Sequence, residues 1–575
     1  MKKYLALLLV LLMAFTLLTA CGGSSNSGSN EPASEEPAEE AEEPAEATEE
    51  PAEAAGEKSF TYAMEYDITS LDPQNSGDSE AIVVNHLINE GLVRDKGGEI
   101  IPGLAESWEV AEDGLTYTFH LRESVWSDGT PVTANDFVYS WNRMCDPNAP
   151  TYYIDTCKHI VNGYDIALGN AEPGTLGVEA PDDYTLIVHM KERDNFFLDD
   201  LASGACWLPI SQAADEAAGG LGPYGSEADK ILTNGPFTIT EWSHEAFIVL
   251  EKNPNYWNKD EIKLDRVKGI VGATGSAAVD MMQAGEIDFL TTNIRKESEE
   301  LEAAGFNVVP YTGAYRYLYF NGNPGEKTEA GAFMANSHFR RALNYVINRN
   351  ALANVVSLDC TPATRVIMPN EPGVDGKTIQ EMYPYEPWDI NGDVEKAKEE
   401  LQLAMDELGV SDPSEIPPLY LLCYDSEDST MLLQAFQDML KQQLGIESTV
   451  NPQAIQTMRE IWHTGYWDVF VMDWGFKSPN WGQRAINWYR PEEDVDEHND
   501  NGYENDEFDA KYEEFEAADS QEEAIKLLAE LEEIFCEDAA SACVAWTNYC
   551  CASNPKITGI LYSTEADFCF ADVTE

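Results

Sequence analysis

The chain has 575 residues, 43% of them hydrophobic, with 104 acidic against 35 basic side chains for a net charge of −69. Such a balance repels nucleic-acid phosphate and excludes a nucleic-acid partner, while the length and the hydrophobic share exclude a wholly disordered chain and allow two or three packed lobes. The charge suits a soluble extracellular protein and by itself carries no information about a ligand.

Lys2 and Lys3 precede an uncharged apolar run from Leu5 to Leu18. The run falls short of the ~20 residues a membrane-spanning helix needs and has the form of a signal peptide's apolar region. It ends in Leu18-Thr19-Ala20-Cys21-Gly22, which resembles the bacterial lipobox. Residues 1–20 are therefore expected to be removed and Cys21 lipidated, which tethers the mature protein to a membrane surface. Gly, Ser and Asn dominate from Gly22 to Asn30, and Glu, Pro and Ala from Glu31 to Glu57, with twelve Glu in that second stretch. Nothing in residues 21–58 can bury apolar area, so a disordered, extended acidic linker is expected there.

In the body, Ser59 to Tyr66 and Thr116 to Leu121 alternate apolar and polar residues and predict half-buried strands. Asn135 to Met144 predicts a helix with Phe137, Val138, Trp141 and Met144 on one face. Phe237 to Leu250 predicts a hairpin with Trp242-Ser243-His244-Glu245 at its turn. Ala277 to Ala284 predicts a short helix stopped by Gly285. Phe339 to Val355 and Ala524 to Phe535 have helical apolar spacing, and Tyr466 to Trp474 predicts a buried strand. Mixed elements with long connections point to an α/β fold built on central sheets. Eleven cysteines are present; beyond Cys21, free buried thiols, one or two bridges, or both are compatible with an exported chain of this size. No pair has zinc-ligand spacing.

Several segments carry a family resemblance. Ser70-Leu71-Asp72-Pro73 is followed by Glu90-Gly91-Leu92-Val93, then by Pro102 to Trp108, Asp113 to Arg122 and Trp126 to Phe137. Further on come Leu176 to Leu186, Thr233-Asn234-Gly235-Pro236-Phe237, Leu250 to Trp257 and Phe339-Arg340-Arg341-Ala342-Leu343. In this order they resemble the peptide-binding solute-binding proteins, family 5, of ATP-binding-cassette importers, which include oligopeptide, dipeptide and nickel receptors. Arg122-Glu123-Ser124-Val125-Trp126 departs from the pattern by being one residue short and having Ser for Gly. Turn pairs such as Asp113-Gly114 and Asp128-Gly129, and Trp108, Trp126 and Trp257, mark the scaffold and not the ligand site.

The resemblance implies a two-lobed periplasmic-binding-protein fold of the type II, large peptide-receptor class, with an extra subdomain. Lobe I would comprise 59–91, 233–314 and 547–575, the extra subdomain 92–232, and lobe II 315–546. Tyr315 to Asn321 would cross into the second lobe and Ala545 to Asn548 return. The implied function is non-enzymatic: a monomer without cofactor or metal closes its lobes on a small ligand, an oligopeptide being favoured, and delivers it to a permease. The location implied is the outer face of the bacterial cytoplasmic membrane, or the periplasm.

Receptors of this family pair the peptide α-ammonium with an Asp three residues after a Trp. Here Trp474 matches the Trp, but the third residue on is Lys477, which has no acceptor and repels an ammonium. Asp473 as a substitute, a register shift, or a ligand whose end is anionic or uncharged would each accommodate Lys477. Trp481 is a candidate pocket wall and Arg484 a candidate carboxylate partner. In the first lobe Gly77 and Asp78 fall in the loop where relatives contact ligand backbone, and Tyr152 and Tyr153 where an aromatic of the extra subdomain reaches the pocket.

Gly220-Leu221-Gly222-Pro223-Tyr224-Gly225 has nucleotide-loop spacing but no apolar strand before it, and is expected to be a plain loop. Asp494 to Asp509 is rich in Asp and Asn, yet misses the calcium-loop pattern. No H-E-x-x-H or G-x-S-x-G occurs. The rival reading is a secreted hydrolase of glycans or peptides, which abundant carboxylates neither support nor exclude.

Overall fold

The computed structural model describes residues 57–148, 151, 153–322, 327–475, 503–562 and 566–574; Cys21, the leader and nearly all of the linker lie outside them. Strand β1 (Ser59–Met64) buries Phe60, Tyr62 and Met64 while the residues between them face partly outward, the alternation its sequence predicts. After a loop comes helix α1 (Ser79–Ile88), begun by Asp78, whose carboxylate accepts from the Ala81 amide. Strands β2 (Val93–Asp95) and β3 (Ile100–Pro102) make a small hairpin. Strands β4 (Ala105–Val110), β5 (Thr116–Leu121), β6 (Val178–Asp182) and β7 (Thr185–His189) form a separate sheet in the order β4-β5-β7-β6. Helix α2 (Ala134–Met144) packs on β6 and β7. Its Phe137, Trp141 and Met144 are fully buried, and Val138 only partly.

Strands β8 (Phe237–Ser243), β9 (Phe247–Lys252), β10 (Arg266–Val271) and β11 (Phe289–Thr292) return to β1. They are followed by β12 (Asn307–Phe320), β13 (Cys360–Pro362), β14 (Leu419–Tyr424), β15 (Ser448–Gln453), β16 (Val469–Gly475) and β17 (Ser541–Ser553). Among the described residues these join β1 in one sheet, ordered β15-β14-β16-β12-β17-β11-β1-β10-β9-β8, with β13 also on β17. β1 runs parallel to β10 and β11, and β14 parallel to β15 and β16, so each half of the sheet has a parallel centre.

β12 and β17 join the halves. They pair antiparallel from Asn307 opposite Ser553 to Tyr319 opposite Ser541, with irregularities at Thr312/Ala314 and Arg316/Tyr317 that bend the ribbon. At one end β17 pairs with β11, Thr292 facing Cys550; at the other β12 pairs with β16. The expected crossings at Tyr315 and Ala545 thus lie within longer strands. Burial changes along β12: Asn307 to Gly313 are exposed or half-buried, Ala314 to Phe320 all buried. Apolar clusters follow the same division, one holding Phe60, Phe237, Leu250 and Phe289, two others Leu318, Phe320 and Leu421, and Tyr315, Tyr317 and Trp467. A fourth, with Phe119, Phe137 and Trp141, lies under the separate sheet.

Three expectations need correction. The β8–β9 turn is shorter than Trp242 to Glu245, because Trp242 and Ser243 still pair with Ile248 and Phe247; Glu245 takes the positive φ, 61°. The helix expected over Phe339–Val355 is two helices, Ser337–Tyr345 and Arg349–Val355. Asn348 between them is extended and its side chain accepts from the Ala351 amide, so a cap interrupts an otherwise apolar run. The strand expected from Tyr466 starts only at Val469; Asp468 before it accepts from the Tyr420 amide at 2.7 Å. Of Asp494 to Asp509, the last four residues open helix Asp506–Glu516, capped by Asn505, and residues 494–502 lie outside the described ones. Gly285 ends helix α3 (Gly275–Ala284) with φ 77°, as its position predicts. Cys145 and Cys157 form a disulfide, and the eight other cysteines among the described residues are buried.

Candidate functional site

β1 and β11 are parallel neighbours, so their carboxyl ends open on one edge of the sheet, next to the first turns of α1 and α3. In α/β sheets this edge is where a crevice forms. A cavity of about 550 Å³ lies there. Glu65 and Tyr66 come from just beyond β1, Asp78 and Glu80 from the start of α1, and Thr292 from the end of β11. Glu297 comes from helix α4 (Arg295–Ala304). The joining ribbon adds Tyr311, Gly313 and Tyr549.

The Tyr311 and Tyr549 rings stack with centroids 5.5 Å apart and an interplanar angle of 22°. Gly313 sits between them at the first irregularity of the ribbon. A Cβ there would meet Tyr549 Cδ2 at 2.9 Å and Tyr311 Cε2 at 3.1 Å, so close approach of rings to backbone requires glycine. Glu80 accepts from the backbone amides of Glu65 at 3.0 Å and Tyr66 at 3.3 Å. Burial, with the field of Asp78 adding to it, raises the Glu80 carboxyl pKa against the pull of those amides. The Tyr66 hydroxyl is pushed up to about 12, first by its hydrogen bond to Glu65 and then by burial.

Gly77 and Asp78 line the cavity. Their loop is fastened from outside the main sheet. Arg143 of α2 reaches Asp72 at 3.1 Å through Nη1, Gln74 Oε1 at 2.8 Å, and Asp215 at 3.2 Å. Burial disfavours the Arg143 charge, but Asp72 and Asp215 outweigh it and raise its pKa. Gln74 Nε2 donates to the Ser140 carbonyl at 2.6 Å, and the Tyr153 hydroxyl to the Ser76 carbonyl at 2.8 Å. The Cys145–Cys157 disulfide brackets Tyr153 and begins one residue after α2 ends. Tyr152 lies outside the described residues, so the aromatic seen on this loop is its neighbour.

On the other side of the ribbon Asp473 and Trp474 belong to β16, opposite Arg316 and Tyr315 of β12. Lys477, Trp481 and Arg484 lie outside the described residues. Sequence reasoning missed Glu65, Tyr66, Glu80, Glu297, Tyr311 and Tyr549. The first two had a signal, since they are the last residues of a strand predicted over Ser59 to Tyr66, which ends in the structure at Met64.

A family model described as "Bacterial extracellular solute-binding proteins, family 5 Middle" matches residues 99–495. The oligopeptide-binding protein OppA of Bacillus subtilis (strain 168) is 27% identical over 572 residues, covering 98% of this chain and 97% of that protein. The periplasmic oligopeptide-binding protein OppA of Salmonella typhimurium is 30% identical over 71% of this chain and 73% of its own. Among solved structures, the substrate-binding domain of an oligopeptide ABC transporter from Bacillus anthracis str. Ames superposes with a TM-score of 0.70 at 25% identity, over 91% of this chain and 99% of that one.

Proposed function

Because the chain belongs to the bacterial extracellular solute-binding proteins of family 5, we propose that it captures a peptide in the cavity beside the β12–β17 ribbon and passes it to the permease of an ABC importer. The observation that carries this reading is the cavity's place: it lies at the carboxyl edge of one half of the sheet and against the two strands that lead into the other half. A ligand held there stabilises whichever arrangement of the halves encloses it, by its differential affinity for that arrangement. We take lobe I as 59–91, 233–314 and 547–575, the extra subdomain as 92–232 and lobe II as 315–546. The extra subdomain serves lobe I by fastening the Asp72–Asp78 loop. Binding without turnover accords with the receptor relatives and leaves the hydrolase reading unsupported. Cys21 carries the lipid that keeps a monomer at the outer membrane face, and residues 22–58 are its tether.

Native mass spectrometry of freshly isolated protein, with calorimetric titration of short peptides and solution scattering, tests this. A retained peptide, a saturable heat of binding and a smaller radius of gyration with ligand are expected. Retention of only a sugar or a metal chelate, with no peptide titrating, would overturn the reading. For the anchor, Cys21→Ser is expected to release the protein from membranes.

A further inference from the structure

We propose that the ligand is cationic, a peptide bearing Lys or Arg side chains whose charges are received by carboxylates of the first lobe. This rests on the peptide-receptor reading and names its substrate class. Four carboxylates line the cavity: Glu65, Asp78, Glu80 and Glu297. Among the described residues the lining contains no Lys, Arg or His, and none of the four carboxylates forms an ion pair. What they have instead are neutral donors: the Glu65 and Tyr66 amides for Glu80, the Ala81 amide for Asp78 at 2.7 Å, and the Thr292 hydroxyl for Glu297 at 2.6 Å.

Elsewhere some withdrawn carboxylates have their cation within the fold, Asp72 with Arg143 and Glu90 with Arg94. The cavity brings four carboxylates together, three of them partly buried, with no cation among the described residues. A second sign of an absent partner is Tyr62. This residue is among those lining the cavity, is 4% exposed, and its hydroxyl has no hydrogen-bond partner among the described residues. A buried hydroxyl left so carries a desolvation cost that a polar ligand group would remove. The aromatic faces of Tyr66, Tyr311 and Tyr549 complete a wall suited to ammonium and guanidinium groups. An anionic side chain would meet four like charges, so the same wall discriminates against it. The peptide α-ammonium also gains partners here that Lys477 does not offer.

The test is calorimetry on the mature protein with trilysine, trialanine and triglutamate. Trilysine is expected to bind at least about tenfold tighter than trialanine, and triglutamate weakest. Raising the salt should narrow the gap. The variants E65Q and E297Q are expected to reduce the trilysine preference; Glu65 is exposed, so E65Q keeps the fold and makes its result interpretable. Trialanine or triglutamate binding as tightly as trilysine would overturn the inference and leave the receptor reading standing. If no peptide binds, both fall.

Discussion

Glu532 and Glu80 are both withdrawn from water, and they differ in what faces them. Glu532 is fully buried; one oxygen accepts from the amides of Val366 at 2.7 Å and Ile367 at 2.6 Å, and the other from Arg365 Nε at 3.0 Å. Glu80 has two backbone amides and no base. The first carboxylate is closed within the second half of the sheet and serves its packing. The second leaves charge uncompensated at a cavity, the condition in which a perturbed group marks a functional site.

The comparison breaks most visibly at Glu532. Glu532→Leu strands the buried Arg365 charge and is expected to lower stability by about 3–5 kcal/mol in denaturant unfolding, with ligand affinity of the folded protein unchanged. Replacing Cys145 and Cys157 by Ser opens a short loop and is expected to remove about 3 kcal/mol. Because that loop carries Tyr153 onto Ser76, ligand affinity should fall as well, which calorimetry would read. Gly313→Val forces a side chain between Tyr311 and Tyr549 and is expected to cost about 1–3 kcal/mol, together with a loss of ligand-induced compaction in scattering. Glu80→Gln has the smallest effect on stability and sharpens the contrast through its pH dependence.

The sign for Glu80 follows from linkage. Its folded pKa lies above the unfolded one, so the native state holds the proton to higher pH. Its contribution is most favourable below the ordinary carboxylate pKa and declines as pH rises through the raised value. Thermal unfolding midpoints of the parent should therefore decline across that window more steeply than those of Glu80→Gln. Equal slopes would show that Glu80 is compensated after all.

Alternation made β1 and β5 legible, and apolar spacing made α2 legible down to its buried residues. The ribbon was half legible. Ala314 to Phe320 is buried and, Arg316 apart, built of apolar and aromatic residues, whereas Asn307 to Gly313 borders the cavity, includes Pro310 and lacks the pattern of a core strand. Asn348 hid the break between two helices because a single capping side chain outweighed a continuous apolar run. Of the site, Gly77 and Asp78 were reachable only through the family resemblance. Glu65, Glu80 and Glu297 meet because α1, α4 and the end of β1 converge on one sheet edge, and no local pattern in a chain this acidic singles them out.

The place of β17 in the sheet bears on how the molecule is assembled. Synthesis delivers β1, β10 and β11 early, but β11 finds its antiparallel neighbour only when residues 550–553 arrive. The half that begins first is finished last, after the inserted half has had time to organise. Pairings so distant along the chain are slow to form, and until then β11 is an unprotected edge, open to strand exchange with another nascent copy.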